Sequence, residues 1–165
     1  MADLFHLAEE IRKCTACPLW KKRTLAVPGE GTKNAKVMFV GKAPSVEDDR
    51  IGLPFVDKSG KFSGLKKKDA FITHCVKCHP PNNRKPSMKE LKTCKELWLE
   101  KQIDVIKPKI IVILDSVALK LLLNKTNIQE LYGKIVTKNK QKFFILHPLS
   151  SIKLKADFTK LQKHL

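Results

Sequence analysis

The residues best able to do chemistry are five cysteines: Cys14-x2-Cys17, Cys78 and Cys94 with fifteen residues between them, and Cys75. Four thiolates suit Zn²⁺ or an iron–sulfur cluster. A structural zinc module presents two tight hooks, and the Cys78–Cys94 pair is too widely spaced for the second. Such a site would tie the N-terminal helix to the middle of a sheet. Spacing alone leaves zinc and iron–sulfur level, with unrelated buried thiols as the third reading. A ferredoxin-like carrier would bunch its cysteines in one short run, which this chain does not do. His147-Pro148 is a second feature, a lone histidine placed at a strand end.

These residues need elements to hold them. Asp3 is positioned to cap a first helix, with Leu4, Leu7, Ala8 and Ile11 on one apolar face. Lys36–Val40, Ala70–Val76, Lys109–Leu114 and Lys142–Leu146 read as strands, each a continuous apolar run. Ser87 and Glu90 form a capping box for a helix through Leu91, Cys94, Leu97, Trp98 and Ile103. Asp115 or Ser116 opens a further helix, and a last one lies within Ala156–Leu165. Alternating strands and helices with fully apolar strands predict an α/β fold, three-layered α/β/α with a mostly parallel central sheet. Sites in such sheets lie beyond the strands' carboxyl ends. Here those ends are Gly41–Ser45, Val76–Cys78, Asp115 and His147.

The 165 residues are expected to form a single domain, 1–165, with no linker or internal repeat. Lys and Arg total 33 against 16 Asp and Glu, a formal charge of +17. That surplus calls for a polyanionic partner, nucleic acid above all; the plainer reading is a solvated Lys-rich surface. All but four of the basic residues (Arg12, Arg23, Arg50 and Arg84) are Lys. Lys suits phosphates, whereas Arg forks read base edges, so the charge speaks for backbone attraction. No apolar run nears the roughly 20 residues of a membrane span. The amino terminus carries acid early and lacks a signal layout. The expectation is an intracellular protein, cytoplasmic and nucleoid-associated, free of membrane and monomeric.

In order along the chain come Cys14-x2-Cys17, Gly41-x-Ala43-Pro44 with Asp48-Asp49, Gly52-x-Pro54-Phe55-Val56, Lys77-Cys78-x-Pro80-Pro81-x-Asn83-Arg84-x-Pro86, Cys94 and His147-Pro148. This series resembles the iron–sulfur uracil-DNA glycosylases, family 4 of the uracil-DNA glycosylase superfamily, from residue 1 to about residue 155. The resemblance implies a uracil-DNA glycosylase-like fold, DNA as partner, and a 4Fe–4S cluster on Cys14, Cys17, Cys78 and Cys94, with Cys75 left as a core thiol. It implies excision of a base flipped from DNA. Phe55 would stack on that base, and His147 would donate to its oxygen as charge develops. An acidic group, Asp48, or a backbone carbonyl would position water. Ala43, Ser45 and His74 would line the base, and Arg84, Lys85, Leu149 and Lys153 would meet DNA, with the stretch Leu149–Lys153 able to wedge into the vacated stack.

The departures from the family pattern fall in the pocket. Lys42 stands where the family has a glutamate, Ser45 where it has a glycine, and His74 where it has the uracil-reading asparagine. Asp57 and Asp115 replace glycines, and Ser63–Asp69 replaces a longer stretch. Lys42 would oppose a positive sugar yet favour a departing base anion, and His74 lacks an amide's paired donor and acceptor. Two outcomes compete: a glycosylase with a rebuilt pocket, and a catalytically degenerate relative acting as an iron–sulfur-stabilised DNA-binding module. A redox or zinc-stabilised scaffold is a third.

Overall fold

The structure, a computed structural model, describes residues 3–57 and 67–165. A six-stranded sheet runs in the order β1-β3-β2-β4-β6-β5. Its strands are β1 (Glu30–Gly31), β2 (Val37–Gly41), β3 (Ala70–His74), β4 (Ile110–Ile113), β5 (Ile135–Lys138) and β6 (Gln141–Ile145). The four central strands are parallel, and the two edges, β1 and β5, pair antiparallel. The expected α/β fold with a mostly parallel sheet is therefore present. The two edge strands went unread: β1 has two residues, and β5 is half polar.

Alternation along the strands builds two cores. Met38, Val40, Ile111, Ile113, Phe143 and Ile145 face one way, under α1 (Leu4–Arg12), α3 (Met88–Cys94), α4 (Glu100–Ile106) and α5 (Ser116–Leu123). Val37, Phe39, Ile110, Val112 and Phe144 face the other way, under Leu154, Phe158 and Leu161 of α6 (Leu154–Gln162). A short helix, α2 (Val46–Ile51), follows β2 directly.

The caps are those the residue types dictate. Asp3 accepts from His6 N, Ser87 and Glu90 close their box, and Asp115 Oδ1 accepts from Ala118 N at 2.9 Å. The helix that Ser87 opens does not run evenly to Ile106. It passes through a π-helical turn, Lys95–Leu99, immediately after Cys94. Of the shortened segment Ser63–Asp69, residues 63–66 lie outside the described residues. Among the described residues no helix is long and apolar enough to cross a membrane.

Candidate functional site

Cys14, Cys17, Cys78 and Cys94 line one small cavity, part of it open to solvent, walled by Ile11, Trp20, Leu97 and Trp98. Four separate elements bring them there. Cys14 follows α1, Cys17 precedes the short 3₁₀ turn Pro18–Lys21, Cys78 follows β3, and Cys94 ends α3. Cys75 points into the core and does not line the cavity. None of the five is in a disulfide. Two sulfurs receive donors: Trp98 Nε1 donates to Cys14 Sγ at 3.2 Å, and Arg23 Nη1 donates to Cys78 Sγ at 3.1 Å. Arg23 also donates to the carbonyls of Cys14 and Arg12, which locks the loop between α1 and the 3₁₀ turn.

Burial pushes the Cys17 and Cys78 thiols up and the Cys94 thiol up to about 12, with Arg23 and Lys77 respectively opposing at Cys78 and Cys94. A metal group binding there must displace protons, so its uptake depends on pH. Among the described residues, no three His, Cys, Asp or Glu side chains converge as ligands of a single ion.

Next to this cavity lies a buried polar hub. Lys77 Nζ donates to Thr73 Oγ1 (2.6 Å), the His74 carbonyl (2.8 Å) and Gln102 Oε1 (2.7 Å). Burial brings its ammonium down to about 8. All three of its protons are used, which is how an ammonium survives in a core.

At the end of β2 the chain turns through Gly41–Ser45 into α2. Ser45 and Asp48 form a capping box, Asp48 Oδ2 accepting from Ser45 N at 3.1 Å. Asp48 Oδ1 accepts from Val56 N at 2.9 Å, so this buried carboxylate ties the Phe55 loop to α2. Both Asp48 oxygens hold backbone, and its placement is that of a strut. Phe55 has φ +52°, a strained value for an aromatic residue. Its ring stacks on His74 with centroids 4.7 Å apart and planes 15° apart. A Cβ on Gly41 would lie 2.7 Å from Phe55 Cζ, so only glycine lets the ring cover the strand end.

His74 is buried, its Nε2 3.6 Å from Asp48 Oδ2. Its Nδ1 has no hydrogen-bond partner among the described residues. Burial lowers its ring to about 3, against the pull of Asp48, so it is neutral at pH 7. Lys42 is exposed. Burial raises Asp115, and the Lys42 charge opposes that rise. Ala43 is half-buried, and the next carbonyl, Pro44 O, accepts from His79 Nδ1 at 2.7 Å.

His147 stands just past the end of β6. Parallel strands lie about 4.8 Å apart, so the β2 and β6 ends are separated by roughly 10 Å, about the span of a base with its sugar. Three residues that the sequence reading missed hold or flank His147. Asp157 Oδ2 accepts from His147 N at 2.8 Å and pairs with His147 Nδ1 at 2.7 Å. Tyr132 stacks on the imidazole at 4.9 Å. A Cβ on Gly133 would lie 3.3 Å from Lys160 Nζ and 3.5 Å from His147 Cε1, so Lys160 ends close by. Only helical spacing within α6 could have flagged Asp157, whose neighbours Leu154, Phe158 and Leu161 mark the buried face.

In the loop beyond His147, Leu149 packs on the second core, whereas Ile152 is 97% exposed beside exposed Lys153. Within the predicted stretch Leu149–Lys153, the exposed apolar tip is thus Ile152, and Leu149 is turned to the core. Lys85 is exposed. Arg84 is committed elsewhere: its two Nη groups donate to Glu90 at 2.9 and 2.7 Å.

Residues 28–164 match the family model described as the uracil DNA glycosylase superfamily. A type-4 uracil-DNA glycosylase of Sulfurisphaera tokodaii is 42% identical over 162 residues, covering 90% of this chain and 73% of the relative. One from Saccharolobus solfataricus is 43% identical over 144 residues, covering 82% and 66%. One from Archaeoglobus fulgidus is 37% identical over 147 residues, covering 82% and 73%. The chain spans about two thirds to three quarters of the length of these relatives.

Proposed function

The chain belongs to the uracil DNA glycosylase superfamily, and we propose that it is a DNA base-excision repair glycosylase that hydrolyses the N-glycosidic bond of a flipped base, uracil first. One observation carries the reading: an aromatic ring, Phe55, lies across the β2 end, and two strands away His147 stands past the β6 end, fixed by a buried carboxylate. In this reading the base slides onto Phe55 between Ala43, Ser45 and His147. The C1′–N1 bond breaks with its electron pair leaving on the base, and His147 donates a hydrogen bond to the base oxygen as negative charge grows. Water adds to C1′, and its proton ends on the base. Lys42 adds positive charge on the side of the leaving anion. With both Asp48 oxygens holding backbone, water is positioned by a carbonyl of the Gly41–Ser45 turn.

DNA is the partner. Ile152 would enter the vacated stack, with Lys153 and Lys85 on phosphates. The chain would act as one domain and as a monomer, inside the cell.

Cys14, Cys17, Cys78 and Cys94 would hold a 4Fe–4S cluster. Four cysteines lining one cavity are a ligand set that a 4Fe–4S cluster takes. The N–H donors from Trp98 and Arg23 suit thiolate acceptors. Bound there, the cluster supplies a cross-link between α1, β3 and α3 and takes no part in base release.

The test uses anaerobically purified protein, which should contain iron and sulfide, and oligonucleotides carrying one uracil. Abasic sites should form with the native protein and fall by about 10²–10³ with His147→Ala, the cost of losing one such donor. Zinc in place of iron would remove the cluster reading. DNA binding without abasic sites would favour the degenerate module.

A further inference from the structure

We infer that Lys77 is the buried counter-ion of the cysteine cavity, its ammonium offsetting the negative charge of the thiolates and the cluster they would hold. The inference rests on the cluster reading, but the charge of Lys77 follows from hydrogen-bond geometry. Nζ faces three oxygens, and each is fixed as an acceptor. The His74 carbonyl has no proton to give. Thr73 Oγ1 gives its proton to the Pro28 carbonyl at 2.9 Å. Gln102 Nε2 donates to the same carbonyl at 2.8 Å, which turns the amide so that Oε1 meets Lys77. A neutral amine has two protons and would aim its lone pair at the third oxygen. Nζ is therefore an ammonium.

A charge in a core calls for an opposite one, and Lys77 is 1% exposed. Its partners Thr73, Gln102 and the His74 carbonyl are all neutral, and among the described residues no carboxylate pairs with it. The ionisable groups that act on it are Cys94, Cys75 and Cys78. Cys75 does not line the cavity, and burial keeps it a thiol. Cys78 and Cys94 line the cavity together with Lys77. Four thiolates outweigh the charge of the cubane core they bind, so the assembled group is a net anion. That is the charge Lys77 lacks. Arg23 differs, because it donates to a sulfur directly, at Cys78. Lys77 gives its three Nζ protons to oxygens and acts on the cavity by charge.

The test compares anaerobically purified native protein with Lys77→Met, Gln102→Glu and Thr73→Val, by iron and sulfide content and by the one-electron potential of the cluster. Lys77→Met removes the charge and keeps an unbranched chain. Gln102→Glu keeps the shape and sets a carboxylate beside Nζ. Beside an ammonium that carboxylate lowers the local charge by one; beside a neutral amine it would hand over its proton and leave the sum unchanged. Net charge tunes such potentials. In both variants the reduction equilibrium should shift against the added electron by about tenfold or more, roughly 59 mV for a tenfold change. Thr73→Val removes an acceptor and no charge, so it should lower stability and leave the potential close to native. Should Lys77→Met fail to fold or to load iron, Gln102→Glu decides. A native potential in Gln102→Glu would overturn the inference, and so would equal shifts in all three variants, which would report packing. Native protein without iron and sulfide would remove the cluster reading and this inference with it; a cluster whose potential ignores these charges would remove this inference alone.

Discussion

Phe55, His74 and Gly41 act together, because the ring crosses the strand end only where position 41 has no side chain. Gly41→Ala should therefore lower stability by about 1–3 kcal/mol and displace the stack. Denaturant unfolding and the excision rate would both register it; an unchanged midpoint would mean Phe55 swings freely. His74 adds a pH dependence. Its folded value, about 3, lies below the usual 6.5, so protonation favours the unfolded chain. Its contribution is complete above pH 6.5 and is lost as pH falls towards 3. Glu90, held low by Arg84, loses its share only below its ordinary 4.5. Unfolding midpoints measured from pH 7 to 4.5 should fall, and His74→Asn should flatten that upper part of the curve. The cysteines were legible from residue type and spacing. Asp157 was not, since it meets His147 only after α6 docks on the sheet.

Among the elements, the helix from Met88 to Ile106 shows what periodicity hides. The apolar positions Leu91, Cys94, Trp98 and Ile103 read as one even helix, yet a π-helical turn follows Cys94. An extra residue per turn rotates everything after it, and such turns recur at functional sites. Here Trp98 comes to lie against Cys14, with its N–H on the sulfur. Trp98→Phe keeps most of the ring and removes the donor. It should cost about 0.5–1.5 kcal/mol of stability and alter the visible absorption of the iron-loaded protein. An identical spectrum would show that the donor does not reach a ligating sulfur. The edges were unreadable for another reason: β1 is too short for a pattern, and β5 mixes Ile135 and Val136 with Thr137 and Lys138.

Over the whole molecule, the +17 charge and the exposed Ile152 tip belong to one surface argument. Binding to undamaged DNA should weaken steeply with salt. Lys153→Ala should reduce the slope of log K against log salt by about one without changing stability. Arg84→Ala should do the reverse, lowering stability because it strands buried Glu90, while leaving the slope nearly as it was. Equal effects of the two variants on the slope would mean Arg84 leaves Glu90 to reach DNA. The sequence carried the sheet's central order of events and the residues at its carboxyl end. Which of those residues hold each other, and which face outward, emerged only from packing: Leu149 lies on the core and Ile152 outside it.

The most direct measurement is the release of free uracil from a DNA duplex with one uracil, by anaerobically purified protein in excess over DNA. The account predicts single-turnover release of one uracil per duplex, leaving an alkali-labile abasic site, with none from a matched duplex carrying thymine. Tight binding of both duplexes with no uracil released at any pH would contradict it.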